Sequence, residues 1–271
     1  MRTDLLLVII GVIMPYVTVL LFVGGLTFRT VRWLSIPVPT KVVVTPAPVT
    51  WPGVFERMSL EVLGFRSLMK GGWKLWLGGW LFHILLGVTL LTHFINFFDY
   101  GLWNQLGYGW YEVAGYAGIA FASMVAFLLL RRIFLPGVRY VSKASDYGVL
   151  LLLFGIIILG DYTRTFGAVS VSAVSQYVYG LLTLQPTLPP NNPVFLLHLL
   201  LAQIFLMYLP FSKVSHLVGW VLAPTRNQRN DARALWHRNP WNPTVELEPY
   251  ANYAARYEHE LEEFGPGGER R

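Results

Sequence analysis

The sequence predicts an all-α integral membrane protein, a bundle of five transmembrane helices with its N-terminus outside the cell and its C-terminus in the cytoplasm. Of the 271 residues, 54% are hydrophobic and 13% are charged, and the charged share is about half that of a soluble domain. The charges also leave long apolar stretches. Between Leu75 and Leu130 only Asp99 and Glu112 are charged, whereas one helix of about 20 residues crosses a bilayer.

Five apolar segments are predicted to cross the membrane as helices. Pro15 and Pro210 fall inside two of them, which is tolerable because neighbouring helices can satisfy the freed carbonyl groups. The first segment is longer than the apolar core of a signal peptide and lacks a small-residue cleavage pattern, so we expect it to be retained. The segments run from about Leu5 to Phe28, Trp76 to Phe98, Trp110 to Leu130, Tyr147 to Thr163 and Val194 to Val221.

The distribution of Lys and Arg predicts the orientation. Nineteen of the 21 basic residues fall in the loop 29–74, in the loop between the third and fourth spans, at Lys213 near the inner end of the fifth span, or after that span. Arg2 and Arg164 fall on the opposite side. Because loops rich in Lys and Arg stay in the cytoplasm, we expect a multi-pass protein of the cytoplasmic membrane, with the lipid bilayer as its surroundings. The net charge of +6 then reflects topology, and no nucleic acid partner is expected.

Two domains are predicted, a membrane domain over residues 1–223 and a cytoplasmic tail over 224–271. The loop 29–74 begins with a proline-rich run. From Val54 to Lys70 apolar residues then recur at helical spacing between charges, which predicts an amphipathic helix at the inner surface of the membrane. This helix is either a docking surface for a cytoplasmic partner or a simple connection. The aromatic tail either folds against a partner or is disordered.

The absence of cysteine excludes several kinds of site. The chain can form no disulfide, no Cys-ligated zinc site and no covalently attached c-type haem. It can also hold no iron–sulfur cluster on thiolate ligands. Redox chemistry would therefore need a non-covalent cofactor and transfer of electrons to another protein.

Four of the six histidines lie in two predicted spans, His83 and His93 in the second and His198 and His216 in the fifth. A polar residue inside a membrane is expensive and is by default a functional candidate. The other two histidines lie in the tail and are given no role. Each intramembrane histidine alone is also compatible with a hydrogen-bonded residue of the bundle. A bare metal site or a proton relay is disfavoured, because carboxylates are absent near the four.

Because the second and fifth spans are antiparallel, the four histidines form two levels. His93 and His198 make an outer pair, and His83 and His216 make an inner pair. Each pair could supply both axial ligands of a haem held between two helices. Ten residues of helix rise about 15 Å and eighteen about 27 Å, so a tilt or a kink at Pro210 must absorb the difference. Eighteen residues also make five turns, which predicts that His198 and His216 share one helix face.

This arrangement resembles the di-haem b cytochromes of the respiratory nitrate reductase gamma subunit family. That family has five spans, an outside N-terminus and two histidines on each of spans 2 and 5, and its spacing matches His83-x9-His93 and His198-x17-His216. The resemblance covers about Leu5 to Ala223. Within the family the first cytoplasmic loop is most similar to DsrM-type cytochromes of sulfite-reduction-associated DsrMKJOP complexes. The similar residues are Thr45-Pro46-Ala47-Pro48, Gly53-Val54-Phe55-Glu56-Arg57, Glu61 and Phe65-Arg66-Ser67-Leu68.

The resemblance implies two haem b groups and a menaquinol oxidation site beside the outer one. Electrons would pass from menaquinol to the outer haem, to the inner haem and then to a cytoplasmic, DsrK-like iron–sulfur subunit. The final substrate would be a protein-bound sulfur species, and other membrane and periplasmic subunits would complete the complex. The gamma subunit of a respiratory nitrate reductase is the alternative. A non-redox membrane anchor or transporter is the second alternative.

The quinone site differs from the family pattern. In the nitrate reductase subunit a lysine near the outer haem helps to bind quinone, whereas the outer segment from Phe94 to Glu112 has neither Lys nor Arg. A carboxylate could instead accept a quinol proton, and an arginine could hold a quinone oxygen or a haem propionate. Each such residue could equally be a helix-end anchor. The candidates are Tyr100, Glu112, Asp161 and Arg164.

Overall fold

A computed structural model describes residues 2–37, 43–98, 108–166, 169–231 and 248–264, and these residues form helices and no strand. Five helical segments are long and apolar enough to cross a membrane, which confirms the predicted bundle of five spanning helices. These segments are Leu5–Ser35, Trp73–Phe94, Glu112–Phe134, Ala144–Thr165 and Pro193–Phe211. The helices are α1 (Arg2–Val8), α2 (Met14–Ser35), α3 (Trp51–Leu63), α4 (Arg66–Lys70), α5 (Trp73–Phe98), α6 (Tyr108–Phe134), α7 (Pro136–Val141), α8 (Ala144–Thr165), α9 (Val171–Leu182), α10 (Pro193–Tyr208), α11 (His216–Gly219), α12 (Tyr250–Arg256) and α13 (Glu258–Phe264).

The long helices pack side by side in the order α5, α6, α8, α10, α2. The centre of this row is where α6 meets α8, and there Phe121 and Val125 pack with Leu153 and Ile157. The main contacts of α5 are with α4, α6 and α9, and those of α10 are with α8 and α2. The histidines of α5 and those of α10 and α11 therefore lie toward one another on one side of α6 and α8.

The first span contains a π-helical turn, Ile9–Ile13. Such a turn departs from the regular pattern of i to i−4 hydrogen bonds. Gln203 of α10 donates a hydrogen bond to the Ile10 carbonyl at 2.9 Å, and the Tyr177 hydroxyl of α9 donates to the Gly11 carbonyl at 2.6 Å. Burial raises the pKa of Tyr177 above its ordinary value, which keeps this hydroxyl a donor. The turn thus fastens the first span to α9 and α10.

The fifth span is not one continuous helix to Val221, so the prediction that His198 and His216 share one helix face is wrong. α10 ends at Tyr208, and two short 3₁₀ turns separate it from α11, which begins at His216. Pro210 lacks the backbone N–H that a continuing helix needs. Ser212 then starts a new turn, because its hydroxyl accepts a hydrogen bond from the backbone of the second residue after it at 3.1 Å.

Arg29 of α2 holds this break. Its guanidinium donates hydrogen bonds to the carbonyls of Pro210 and of Ser212, the latter at 3.1 Å. The Pro210 carbonyl has lost its helical partner and would otherwise be unsatisfied in a membrane, whereas the Ser212 carbonyl also accepts a hydrogen bond from the Ser215 hydroxyl at 2.8 Å. Gly25, one turn earlier on α2, makes room for the break, since a β-carbon there would lie 2.8 Å from the Pro210 ring.

The loop before α5 packs against the start of the tail. The backbone of Val44 donates to Thr225 at 2.9 Å, and that of Asn230 donates to Pro48 at 2.9 Å. The predicted amphipathic helix is present in two pieces, α3 and α4, because Phe65 between them has a left-handed backbone with φ of 48°. The first residues of the tail therefore belong to one folded surface with the loop 29–74.

Candidate functional site

The structure brings the two imidazoles of the outer pair together. The ring centres of His93 and His198 are 6.2 Å apart, and the ring planes differ by 21°. The Nδ1 atom of His93 is 2.7 Å from the carbonyl of Thr89 on its own helix. The Nδ1 atom of His198 is 2.8 Å from the carbonyl of Ile156, which belongs to α8.

The inner pair has a similar separation but a different orientation. The ring centres of His83 and His216 are 6.0 Å apart, and the ring planes differ by 73°. The Nδ1 atom of His83 is 2.7 Å from the Gly79 carbonyl, and that of His216 is 3.1 Å from the Lys213 carbonyl. The break after α10 places His216 opposite His83 without a straight helix, which accounts for the unequal sequence spacings.

These hydrogen bonds select one tautomer of each ring. A carbonyl oxygen only accepts, so Nδ1 carries the proton in all four neutral imidazoles and Nε2 keeps its lone pair. Metal-binding histidines are commonly oriented by such a bond from the other ring nitrogen.

The separations fit one metal atom between the two rings of each pair. An imidazole nitrogen lies about 2 Å from the metal it binds, so two ligands in line place their ring centres about 6 Å apart. Haem iron takes one or two axial ligands from the protein. Within the described part of the chain no group of three or more His, Asp or Glu side chains could hold a bare metal ion. The residues present therefore fit a haem at each pair better than a bare ion.

Each pair also has a neighbour that shapes it. Gly160 of α8 lies directly against His198, since a β-carbon on it would be 3.0 Å from Cε1 of the ring. The Phe65 ring packs edge-on against His83, with centres 4.8 Å apart. The turn that carries Phe65 is held by the indoles of Trp76 and Trp80. Each indole donates a hydrogen bond of 2.8 Å, one to the last carbonyl of α3 and one to the carbonyl of its cap residue.

The quinone candidates fall in different places. Tyr100 lies outside the described residues. Glu112 is exposed at the start of the third span. Asp161 and Arg164, three residues apart on α8, both face α6. A β-carbon at Gly118 would overlap the Asp161 carboxylate, whereas one at residue 115, also glycine, would lie 3.6 Å from Arg164.

Sequence reasoning did not identify Arg29, Gly160 and Phe65 as parts of this site. In the sequence Arg29 looked like one of the basic residues that set the topology, so nothing linked it or Gly25 to the proline of the fifth span. No sequence pattern marks the contact of Gly160 with the His198 ring, because this contact depends on which helix packs against α8.

Comparison with known proteins identifies the family of this chain. The family model for the nitrate reductase gamma subunit matches residues 66–227, which include all four histidines. A protein of Archaeoglobus fulgidus, named Hdr-like menaquinol oxidoreductase cytochrome b-like subunit, is 34% identical over 87% of this chain and 84% of its own length. A protein of the same name from Archaeoglobus profundus is 31% identical over 86% and 83%. The chain therefore belongs to the nitrate reductase gamma subunit family of membrane proteins.

Proposed function

We propose that this chain is the membrane di-haem b cytochrome subunit of a quinol-dependent oxidoreductase complex. It exchanges electrons between the menaquinone pool on the outer side of the membrane and a cytoplasmic iron–sulfur subunit. One observation carries the proposal. Two imidazole pairs, with ring centres 6.2 Å and 6.0 Å apart, both present Nε2 atoms whose opposite ring nitrogens are hydrogen-bonded to carbonyls.

Each pair holds one haem b by its two Nε2 atoms. His93 and His198 hold the outer haem, and His83 and His216 hold the inner haem. When bound, each haem stores and releases one electron at its iron. The backbone carbonyls fix the rings, and α5 separates the two levels by ten residues, a rise of about 15 Å. The protein thus supports a two-step path across the membrane.

The quinol and the partner follow from the relatives and from composition. Both relatives are named as menaquinol oxidoreductase subunits of an Hdr-like type, which supports menaquinol as the electron donor here. The chain has no cysteine, so the iron–sulfur centres must belong to another subunit. The DsrM-like first loop supports a DsrK-like partner in a DsrMKJOP-type complex of dissimilatory sulfur metabolism.

The alternative function is the gamma subunit of a respiratory nitrate reductase, and the matching family model favours it. The two functions share the haems and the quinol and differ in the cytoplasmic partner. Affinity purification of the tagged chain from its native membrane separates them. We expect a heterodisulfide-reductase-like iron–sulfur protein, and a molybdenum enzyme in its place would establish the alternative.

The test of the proposed function is reduction of the purified protein by quinol. Addition of a menaquinol analogue to the oxidised protein is expected to produce the α-band of a reduced b haem, to the same amplitude that dithionite reaches. A protein that carries no haem after expression in a haem-competent host would contradict the proposal. It would favour instead a non-redox anchor or transporter.

A further inference from the structure

An open groove of about 460 Å³ runs between α6 and α8. Its wall on this side extends from Phe154 of α8 to Phe166, the residue that caps the end of α8, a rise of about 18 Å. The groove opens sideways, because lining residues such as Ile119 and Phe166 are 60% and 69% exposed. At the depth of these spans a sideways opening faces lipid.

One carboxylate lies in this mostly apolar groove, whose other polar lining groups are hydroxyls. Asp161 is half-buried at the contact of α8 with α6, where Gly118 leaves room for its carboxyl group. The α6 side of the groove is made largely of small residues, including Ala122 and Ala126, and the α8 side carries aromatic rings. A carboxylate at membrane depth is expensive and is by default a functional candidate, even with the cation of Arg164 nearby.

The groove adjoins the outer pair. Gly160, the residue before Asp161, is the one that lies against the His198 ring. Arg164, one turn further along α8, is close enough to His93 to interact with it electrostatically. Gly160 and Asp161 point about 100° apart around α8, so a small molecule at Asp161 would lie at the same level of α8 as the outer pair, on the neighbouring face of the helix.

We propose that this groove is the quinol-binding site and that Asp161 accepts the quinol protons. This inference rests on the proposed function. The isoprenoid tail occupies the apolar part of the groove toward Phe154, and the ring reaches Asp161. Oxidation of one quinol to quinone breaks two O–H bonds. It releases two electrons one at a time. A ferric haem held by the outer pair would take up the first, and the second would follow once the first had passed on toward the inner pair. The two protons pass in turn to the Asp161 carboxylate and from there to the outer water.

Binding is tested without reference to electron transfer. A photoreactive azido-menaquinone analogue, added to the full-length protein in native membrane vesicles, is expected to label peptides of α6 and α8 that line the groove. Excess menaquinone should compete with this labelling, and Ala126→Phe, which fills the groove away from Asp161, should abolish it. Labelling confined to other helices, or unaffected by Ala126→Phe, would overturn the proposal. A haem-free protein that is still labelled in the groove would refute the proposed function alone.

Proton transfer is tested by stopped-flow reduction of the haem-loaded protein with a menaquinol analogue. Asp161→Asn keeps the size and removes the base, so quinol-driven haem reduction should slow about a hundredfold while dithionite still reduces both haems. The control Glu56→Gln makes the same change at an exposed cytoplasmic position and should have no effect. An unchanged rate in Asp161→Asn, or the same slowing in Glu112→Gln alone, would overturn the role of Asp161.

Two glycine variants decide the matter if Asp161→Asn does not assemble. Gly118→Ala displaces the Asp161 carboxylate without removing it, because the added β-carbon overlaps it. Gly115→Ala, three residues away on the same helix, adds a β-carbon at an ordinary contact distance of 3.6 Å from Arg164. Quinol-driven reduction should be slow only in Gly118→Ala. Equal rates in the two variants would contradict the proposal.

Discussion

Gly160 of α8 lies directly against the His198 ring of α10, so that a β-carbon at residue 160 would be 3.0 Å from Cε1. The same turn of α8 provides the Ile156 carbonyl that accepts the hydrogen bond of His198 at 2.8 Å. One helical turn therefore both orients this imidazole and limits how far it can move. His198, a proposed haem ligand on α10, is thus held in position by the backbone of α8.

Enlarging residue 160 should remove the outer haem. Gly160→Val places three carbon atoms where the His198 ring now lies, and overpacking of this kind shifts neighbouring groups. We expect the haem content to fall from two to about one per chain. Gly155→Val is the matched control, since a β-carbon there meets Leu201 of the same facing helix at an ordinary 3.5 Å. Two haems in both variants would show that the contact of Gly160 with His198 is not needed for haem binding.

Removing the guanidinium of Arg29 should release the inner pair. Arg29→Gln withdraws hydrogen bonds from the broken fifth span. The Pro210 carbonyl is then left without a partner, which costs about 1–3 kcal/mol, whereas the Ser212 carbonyl keeps its bond from the Ser215 hydroxyl. The inner haem should be lost or weakly bound, with the spectrum of the outer haem retained. Arg32→Gln, an exposed position on the same helix, serves as the control. Loss of the outer haem instead would refute this role of Arg29.

The two haems should differ in their electron paramagnetic resonance signals. The imidazole planes of the outer pair differ by 21°, so in a haem held there both rings would interact with the same iron orbital and split the orbital energies. At the inner pair the angle is 73°, and the two interactions fall on different orbitals and nearly cancel. The oxidised inner haem should therefore have the larger maximum g value. His93→Ala should remove the signal with the smaller value. Two identical signals would contradict the ring geometry.

The contact between Glu61 and the start of the tail should depend on pH. It accepts hydrogen bonds from the hydroxyl and the backbone of Ser67, at 2.6 Å and 3.1 Å, and pairs with Arg226 at 3.3 Å. Burial raises the pKa of Glu61, but these hydrogen bonds and nearby cations more than offset burial, so its pKa lies below the ordinary value. The contact is therefore complete above the ordinary pKa of about 4.3 and weakens as the pH falls through the lowered one.

Hydrogen–deuterium exchange measures this contact. Glu61→Gln at neutral pH should speed exchange in residues 222–231 and leave the spanning helices unchanged, whereas Glu56→Gln should match the native protein. The native protein should show the same faster exchange only below about pH 4, after correction for the intrinsic rate. If exchange in Glu61→Gln equals that of the native protein, the ion pair of Glu61 with Arg226 does not hold the start of the tail in place.

The spans and the facing histidines were accessible from sequence because their signals are local or follow from topology. Apolar length fixes a spanning helix, and antiparallel order places His93 beside His198. The break at Pro210 was not accessible, because proline in a membrane helix can be accommodated or can end it. Here the outcome depends on Arg29, which is far away in sequence and looked like a topology signal.

Neither the groove between α6 and α8 nor the contact of His198 with α8 could be predicted from the sequence. Asp161 was a candidate among several outer polar residues, and only the packing of α6 on α8 separates it from the exposed Glu112. The left-handed turn at Phe65 was hidden for a similar reason. The amphipathic pattern continues through it, and the indole hydrogen bonds that hold it come from Trp76 and Trp80 of the next helix.

Haem stoichiometry of the pair variants tests the central claim most directly. The pyridine haemochrome assay on purified protein should give two b haems per chain, because each pair binds one. His93→Ala combined with His198→Ala should leave one haem, since both changes affect the outer pair, and His83→Ala with His216→Ala should leave the other. His93→Ala combined with His216→Ala should leave none. Two haems after removal of either pair, or one haem in the native chain, would contradict the account.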